Sequence, residues 1–142
     1  MATIEIQLAQ KCDSKKVSEL FKVIDTEHAC FSKLTDMIGY IKKKQCFVAV
    51  QSGKIVGAII LREEDRGYEI YLIRSTVKGG GKVLIEFAKK KCKQDKMFKL
   101  WCWSLIRYKA KGFYKKMGFE EIFLLKQQWH GEDCYFFGHK IK

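Results

Sequence analysis

From Tyr68 to Ala88 a strand-like apolar run, three consecutive glycines and a helical apolar pattern follow one another without interruption. This stretch limits the folds open to the chain. Tyr68-Glu69-Ile70-Tyr71-Leu72-Ile73 carries the β-branched and aromatic residues of a buried strand. Gly79, Gly80 and Gly81 have no Cβ, so backbone N–H groups can turn toward a ligand there, and the helix that follows adds the positive end of its dipole. Lys78 and Lys82 flank the glycines with two more positive charges. The arrangement suits a phosphate group.

Spacing decides which phosphate loop this can be. A Walker loop places Gly-Lys-Ser/Thr after a glycine and four residues, but here Val83 follows Gly81-Lys82 and Thr76 stands where the first glycine belongs. A dinucleotide fingerprint needs Gly-x-Gly-x-x-Gly, and Leu84 occupies the third glycine position. A nucleoside triphosphate site and a dinucleotide site are therefore both disfavoured.

What remains, Gly79-x-Gly81 opening a helix directly after a strand, resembles the acetyl-CoA pyrophosphate loop of the GNAT N-acetyltransferases. Downstream, Ala110-Lys111-Gly112-Phe113-Tyr114-Lys115-Lys116-Met117-Gly118-Phe119 resembles the same family's Ala-x-x-aromatic-Tyr-x-x-x-Gly-Phe motif, with a strand-like Phe98 to Trp103 between the two. Glu69-Ile70 at the head of the central strand is similar to the histone-acetyltransferase branch. The chain departs from the family at Thr76, where Arg or Gln is usual, so the loop must rely on its backbone N–H groups. The resemblance implies one GNAT domain over residues 1–142. Its fold would be an α/β (α+β) GNAT fold, a mixed, mostly antiparallel sheet of about seven strands with about four helices.

The order of patterns along the chain agrees. Thr3 to Ala9 alternates as a half-buried strand. Val17, Leu20, Phe21 and Ile24 predict a first helix from Cys12-Asp13-Ser14 to about Asp25. Cys30 to Lys43 predicts a second, which in the family flanks the acceptor entrance. Cys46–Val50 and Ile55–Leu61 predict a hairpin around 51–54, and a second turn at 62–67 leads into the central strand. Helix follows the glycines as far as the lysine cluster at 89–93, where cations suit the helix C-terminus. A motif helix is expected over Arg107–Met117 with Gly118 as its cap. A last hairpin, Phe119–Trp129 and Cys134–Ile141, turns at 130–133.

Composition excludes several classes. The chain has 142 residues, is 47% hydrophobic and 31% charged, and contains no proline, which is ordinary globular composition. It shows no apolar run long enough to span a bilayer and no signal-peptide pattern at Met1 to Glu5, pointing to a cytoplasmic protein without membrane contact. The six cysteines form no Cys-x-x-Cys pair and the three histidines are scattered, so neither a metal site nor a disulfide framework is expected. The cysteines read as buried free thiols. The net charge of +12 exceeds what a cofactor with three phosphate groups needs. An anionic partner, nucleic acid included, would benefit from the surplus, a lysine-rich solvated surface needs none, and a homodimer is left open.

The resemblance assigns roles. Backbone N–H groups near Leu72, Ile73 and Arg74 would face the thioester. Lys78, Gly79, Gly80, Gly81 and Lys82 would hold the pyrophosphate, with Arg107 near the cofactor. Tyr114 would donate a proton to the departing thiolate, and Glu69, a carboxylate desolvated in an apolar strand, would serve as base. Trp129 and His130 could rim the acceptor cleft. The implied function is acetyl-CoA-dependent acetylation of a primary amine on a protein, a small molecule or an aminoacyl-tRNA, the last resembling GNAT toxins. The rival is a non-catalytic module that senses CoA or stacks nucleic-acid bases on Trp101, Trp103, Arg107 and Tyr108.

Overall fold

A computed structural model of the chain describes residues 2–142. Its strands are β1 (Ile4–Leu8), β2 (Cys46–Gln51), β3 (Lys54–Glu64), β4 (Gly67–Ser75), β5 (Lys99–Leu105), β6 (Glu121–Trp129) and β7 (Glu132–Lys140). The helices are α1 (Ser14–Phe21), α2 (Leu34–Lys42), α3 (Gly80–Gln94) and α4 (Lys111–Lys116). The seven strands form one sheet in the hydrogen-bonded order β1-β2-β3-β4-β5-β7-β6. It is mixed, because β4 pairs with β5 in parallel while β1–β2, β2–β3, β5–β7 and β6–β7 are antiparallel. The mixed, mostly antiparallel sheet of seven strands with four helices expected from the sequence is the one observed.

Packing resolves the chain into two compact units, Met1–Arg62 with Tyr71–Phe87, and Glu63–Ile70 with Ala88–Lys142. In the first, Val17, Leu20 and Phe21 of α1 and Met37 and Ile41 of α2 bury their stripes on Cys46, Val48, Ala58, Ile60 and Leu72 of the strands. Phe47, the neighbour of Val48, packs instead on Phe87 of α3 with ring centroids 4.8 Å apart. Both faces of β2 are thus covered, which is why its sequence is a continuous apolar run and not an alternation. In the second unit, Leu100, Cys102 and Leu105 of β5, Tyr114 of α4, Phe119, and Cys134 and Phe137 of β7 are all buried.

Hairpin chemistry accounts for the turns. Each two-residue tip, Ser52-Gly53, Asp65-Arg66 and His130-Gly131, has positive φ at both residues, as a type I′ turn requires. The strands therefore run closer to the tips than the patterns predict, and Glu132 and Asp133 belong to β7, not to the turn.

The helices are shorter than their apolar patterns. The first, expected to reach Asp25, is α over Ser14–Phe21 only, with 3-10 turns at Lys11–Asp13 and Lys22–Ile24. The second begins at Leu34, not Cys30, because the Asp25 carboxylate ties up the preceding segment. It accepts the Ser32 N–H at 2.9 Å and the Ser32 hydroxyl at 2.6 Å, and the Ser18 hydroxyl donates to the Ser32 carbonyl at 2.6 Å. Local side-chain bonds of this kind compete with helix. The motif helix expected over Arg107–Met117 breaks into a 3-10 turn at Ile106–Tyr108 and α4, separated by Lys109 with φ of 54°. Strand β5 starts at Lys99, leaving Phe98 71% exposed. Of the six cysteines, Cys12 and Cys30 are exposed, correcting the expectation of burial, and the other four are buried and free.

Phe21 is fully buried between α1 and the sheet. Phe21→Ala should lower the unfolding free energy by about 3–5 kcal/mol, read as a fall in the urea midpoint with unchanged slope.

Candidate active site

The glycine loop belongs to the first unit, and its geometry is set by what precedes it. The Ser75 hydroxyl accepts the Val77 N–H at 3.2 Å and lies 3.1 Å from the Val77 carbonyl. Thr76 is bound to β3 twice, its N–H at 2.8 Å and its hydroxyl at 3.1 Å from the Val56 carbonyl. The chain then turns through Gly79, at φ of 84°, into α3. Gly80 packs directly on Ser75, and a Cβ there would lie 1.9 Å from the Ser75 hydroxyl oxygen. Only glycine fits. The Gly80 N–H returns to the Val77 carbonyl at 3.1 Å, and Gly81 and Lys82 carry first-turn N–H groups at the dipole's positive end.

The flanking side chains are solvated. Lys78 is exposed, and Lys82 stands 4.0 Å from Glu86 one turn on, both more than 60% exposed. Arg74 is anchored elsewhere, donating from Nη1 to the Leu20 carbonyl at 2.8 Å. Leu72 is buried in the cluster beneath α1 and α2. The parallel register of β4 with β5 covers Gly67, Tyr68 and Glu69 against Lys99, Leu100 and Trp101, and both strands run on beyond it, to Ser75 and Leu105. Leu72, Ile73 and Arg74 lie past the end of that register.

The second unit holds Glu69, Tyr114 and Arg107. Glu69 is only 5% exposed, so it is not the solvated strand end that its nearness to Gly67 allowed. Tyr114 is buried with its ring stacked on Phe137 at 4.6 Å and met edge-on by Phe113 at 5.1 Å and Phe119 at 5.0 Å. Its hydroxyl is hydrogen-bonded to the Cys102 thiol. Burial first, and then Cys102, hold the phenol well above its usual pKa of 10. Burial likewise pushes the Cys102 thiol up to about 12, the Tyr114 hydrogen bond working against that shift and the charge of Glu69 adding to it.

Cys102 thus interacts with both Glu69 and Tyr114, a connection the sequence did not reveal. The only signal for it was its inward phase on β5, between Leu100 and Leu105. Arg107 is engaged with β7. Its Nε donates to Glu132 Oε1 at 2.8 Å and its Nη2 meets Oε2, a fork that ties the turn before α4 to the start of β7. Trp129 stands beside Trp103 at 6.3 Å and His130 at 4.6 Å, at the tip of the last hairpin. An open hollow of about 550 Å³ on α4 is lined by Gly112, Phe113, Lys115 and Lys116. Among the described residues no three His, Cys, Asp or Glu side chains gather as metal ligands, and no helix is long and apolar enough to cross a membrane.

A family model described as an acetyltransferase (GNAT) domain matches residues 8–133. No curated protein matches the chain. Among solved structures, Ard1 from Thermoplasma volcanium is similar with a TM-score of 0.83 at 18% identity, over 98% of each chain. An N-acetyltransferase from Staphylococcus aureus Mu50 gives 0.82 at 17% identity, over 99% of each. The putative acetyltransferase yncA from Salmonella typhimurium, solved with its cofactor acetyl-CoA, gives 0.76 at 14%, over 99% of this chain and 95% of that one. At these identities the structural likeness is one of fold.

Two outcomes follow from this geometry. Gly80→Ala should speed amide exchange across residues 75–83 by displacing the Ser75 hydroxyl from Val77, and Ser75→Ala, which removes that hydroxyl, should speed exchange at Val77 as well. The second concerns alkali. Cys102 and Tyr114 have folded pKa values above their unfolded ones, so the stability they give is complete below about pH 9 and is lost as pH rises. Urea midpoints should fall from pH 8 to pH 10.5, and Cys102→Ala should shrink that fall.

Proposed function

Because the chain belongs to the GNAT acetyltransferase family, its activity is acetyl transfer, and we propose that it passes the acetyl group of acetyl-CoA to a primary amine by direct attack on the thioester. The observation that carries this reading is the Gly80–Ser75 contact. It fixes a cradle of main-chain N–H groups at the start of α3, of the kind that holds a diphosphate. In this reading the N–H groups of Gly79, Gly81 and Lys82 hold the pyrophosphate, Gly80 shapes the turn by its fit on Ser75, and Lys78 adds attraction at longer range. Arg107, engaged with Glu132, acts through the turn it fixes.

When bound, acetyl-CoA supplies the thioester carbon that the amine attacks. A C–N bond forms, the C–S bond breaks, and the amine gives up a proton. Backbone N–H groups of Leu72 to Arg74 polarise the carbonyl, since they stand where β4 has left its pairing with β5. Glu69, buried on β4, takes the amine proton, directly or through water.

The role of Tyr114 follows from its own acidity. A phenol held well above pKa 10 stays protonated at every physiological pH. A thiolate is a weaker base than such a phenolate, so complete transfer from Tyr114 to sulfur would be uphill. Tyr114 therefore serves as hydrogen-bond donor to the departing sulfur, turning its single O–H proton from Cys102 to that atom. The proton that ends on CoA comes from the amine.

Free thiol released from acetyl-CoA with a panel of primary amines tests the reading. Tyr114→Phe should lower kcat about 100-fold while leaving acetyl-CoA affinity within twofold. Acetyl-CoA binding without thiol release for any amine, unaltered by the substitution, would overturn catalysis in favour of a binding module.

A further inference from the structure

Tyr71, the residue before Leu72 on β4, is the centre of an aromatic cluster in the first unit. Phe31 meets its ring edge-on with centroids 6.2 Å apart, and Tyr40 of α2 lies 5.5 Å away with its hydroxyl hydrogen-bonded to that of Tyr71. The guanidinium of Arg62, on β3, lies flat against the ring, 3.8 Å from its centroid. All four are part-exposed. Tyr71 and its neighbour Leu72 both join the cluster under α1 and α2, a departure from the alternation of a regular strand.

Stacking engages the flat face of a guanidinium and leaves hydrogen bonding to its in-plane edges, whose five donors serve more than one acceptor. Held in this way the group has lost much of its rotamer freedom, so a carboxylate meets it at little further entropic cost. Tyr71 directly precedes Leu72–Arg74 on β4, so the ring that holds the guanidinium and the main chain assigned to the thioester are consecutive on one strand.

We propose that Arg62, stacked on Tyr71 and walled by Phe31 and Tyr40, binds a carboxylate on the acceptor, so that the enzyme's substrates are primary amines that carry an acid a few bonds from the nitrogen. This rests on the acetyl-transfer reading above. The electrostatics agree with it. Burial and then Tyr40 push the Tyr71 phenol up to about 12, so it remains neutral, with Arg62 and Asp36 acting on it in opposite directions. A cation and an anion about one phenol suit an acceptor that carries both charges. The excess of +12 draws acidic amines and disfavours polyamines.

The acid can belong to a free amino acid or to the first residue of a peptide, and paired substrates distinguish the two. Thiol release is compared for phenylalanine against phenylalaninamide, and for Asp-Phe-amide against Asn-Phe-amide. In at least one pair the acid should exceed its neutral partner tenfold or more in kcat/KM. Arg62→Met should bring that ratio below twofold, and Arg62→Lys, which keeps the charge but not the fork, should fall between. Neutral partners that match the acids, or a preference that survives Arg62→Met, overturn the proposal.

A readout without turnover separates this from failure of the catalytic reading. N-acetylphenylalanine should bind at least tenfold more tightly than its amide by NMR titration, and the difference should vanish in Arg62→Met. Equal binding of the two overturns the carboxylate site even if acetyl transfer is observed. A clear difference upholds the site even if no amine is acetylated.

Discussion

The close fit of Gly80 on the Ser75 hydroxyl is the contact on which the ligand-facing end of the first unit depends. It sets the direction of α3, which begins after a short turn over residues 76–79 that follows β4. The same hydroxyl holds Val77 on both its N–H and its carbonyl, and Thr76 is fastened to the Val56 carbonyl. A strand edge, a turn and a helix start are thus locked together by short polar contacts. The first-turn N–H groups are aimed before any ligand arrives. Such preorganisation places less of the ordering cost on binding.

A second constraint acts in the other unit, where polar groups are buried among aromatic rings. Burying a phenol, a thiol and a carboxylate is costly unless they satisfy one another. Tyr114 and Cys102 share a hydrogen bond, and the charge of Glu69 reaches Cys102. Rings from Phe113, Phe119 and Phe137 hold the phenol ring in place, so its hydroxyl turns only about its own C–O bond. The arrangement keeps the donor neutral and oriented, which a hydrogen bond to a developing thiolate requires. A freely rotating tyrosine at the surface would supply neither.

Much of this was legible in the chain because the strongest signals were local. Three glycines after a β-branched run read as a turn into a helix, and the chain turns through Gly79 into α3. The failures came where side chains from distant positions decided local structure. The Asp25 carboxylate kept Ser32 out of α2, and the left-handed Lys109 split the motif helix, though neither alters the apolar pattern that predicted longer helices. Arg107 is bound to Glu132, a partner 25 residues away that no spacing rule selects. Cys102 and Arg62 were invisible for a related reason. A buried cysteine on a strand reads as a small hydrophobe, and an arginine after an apolar run reads as a solvated strand end. Only the neighbours across the sheet give either one a task.

The departure at Thr76 also has an explanation in these contacts. Where the family pattern carries a long polar side chain, this chain has a short one whose N–H and hydroxyl both face the Val56 carbonyl. It acts as a strut and not as a ligand. The charges around the loop do not replace the missing group by contact, since Lys78 is solvated and Lys82 leans toward Glu86. Exposed cations of this sort raise the local concentration of an anion and speed its arrival, but are screened within about 10 Å at ordinary salt. Recognition of the diphosphate then falls to main-chain N–H groups, whose positions depend on backbone geometry alone. That is why a glycine packed on a serine determines more of the loop's chemistry than the lysines on either side of it.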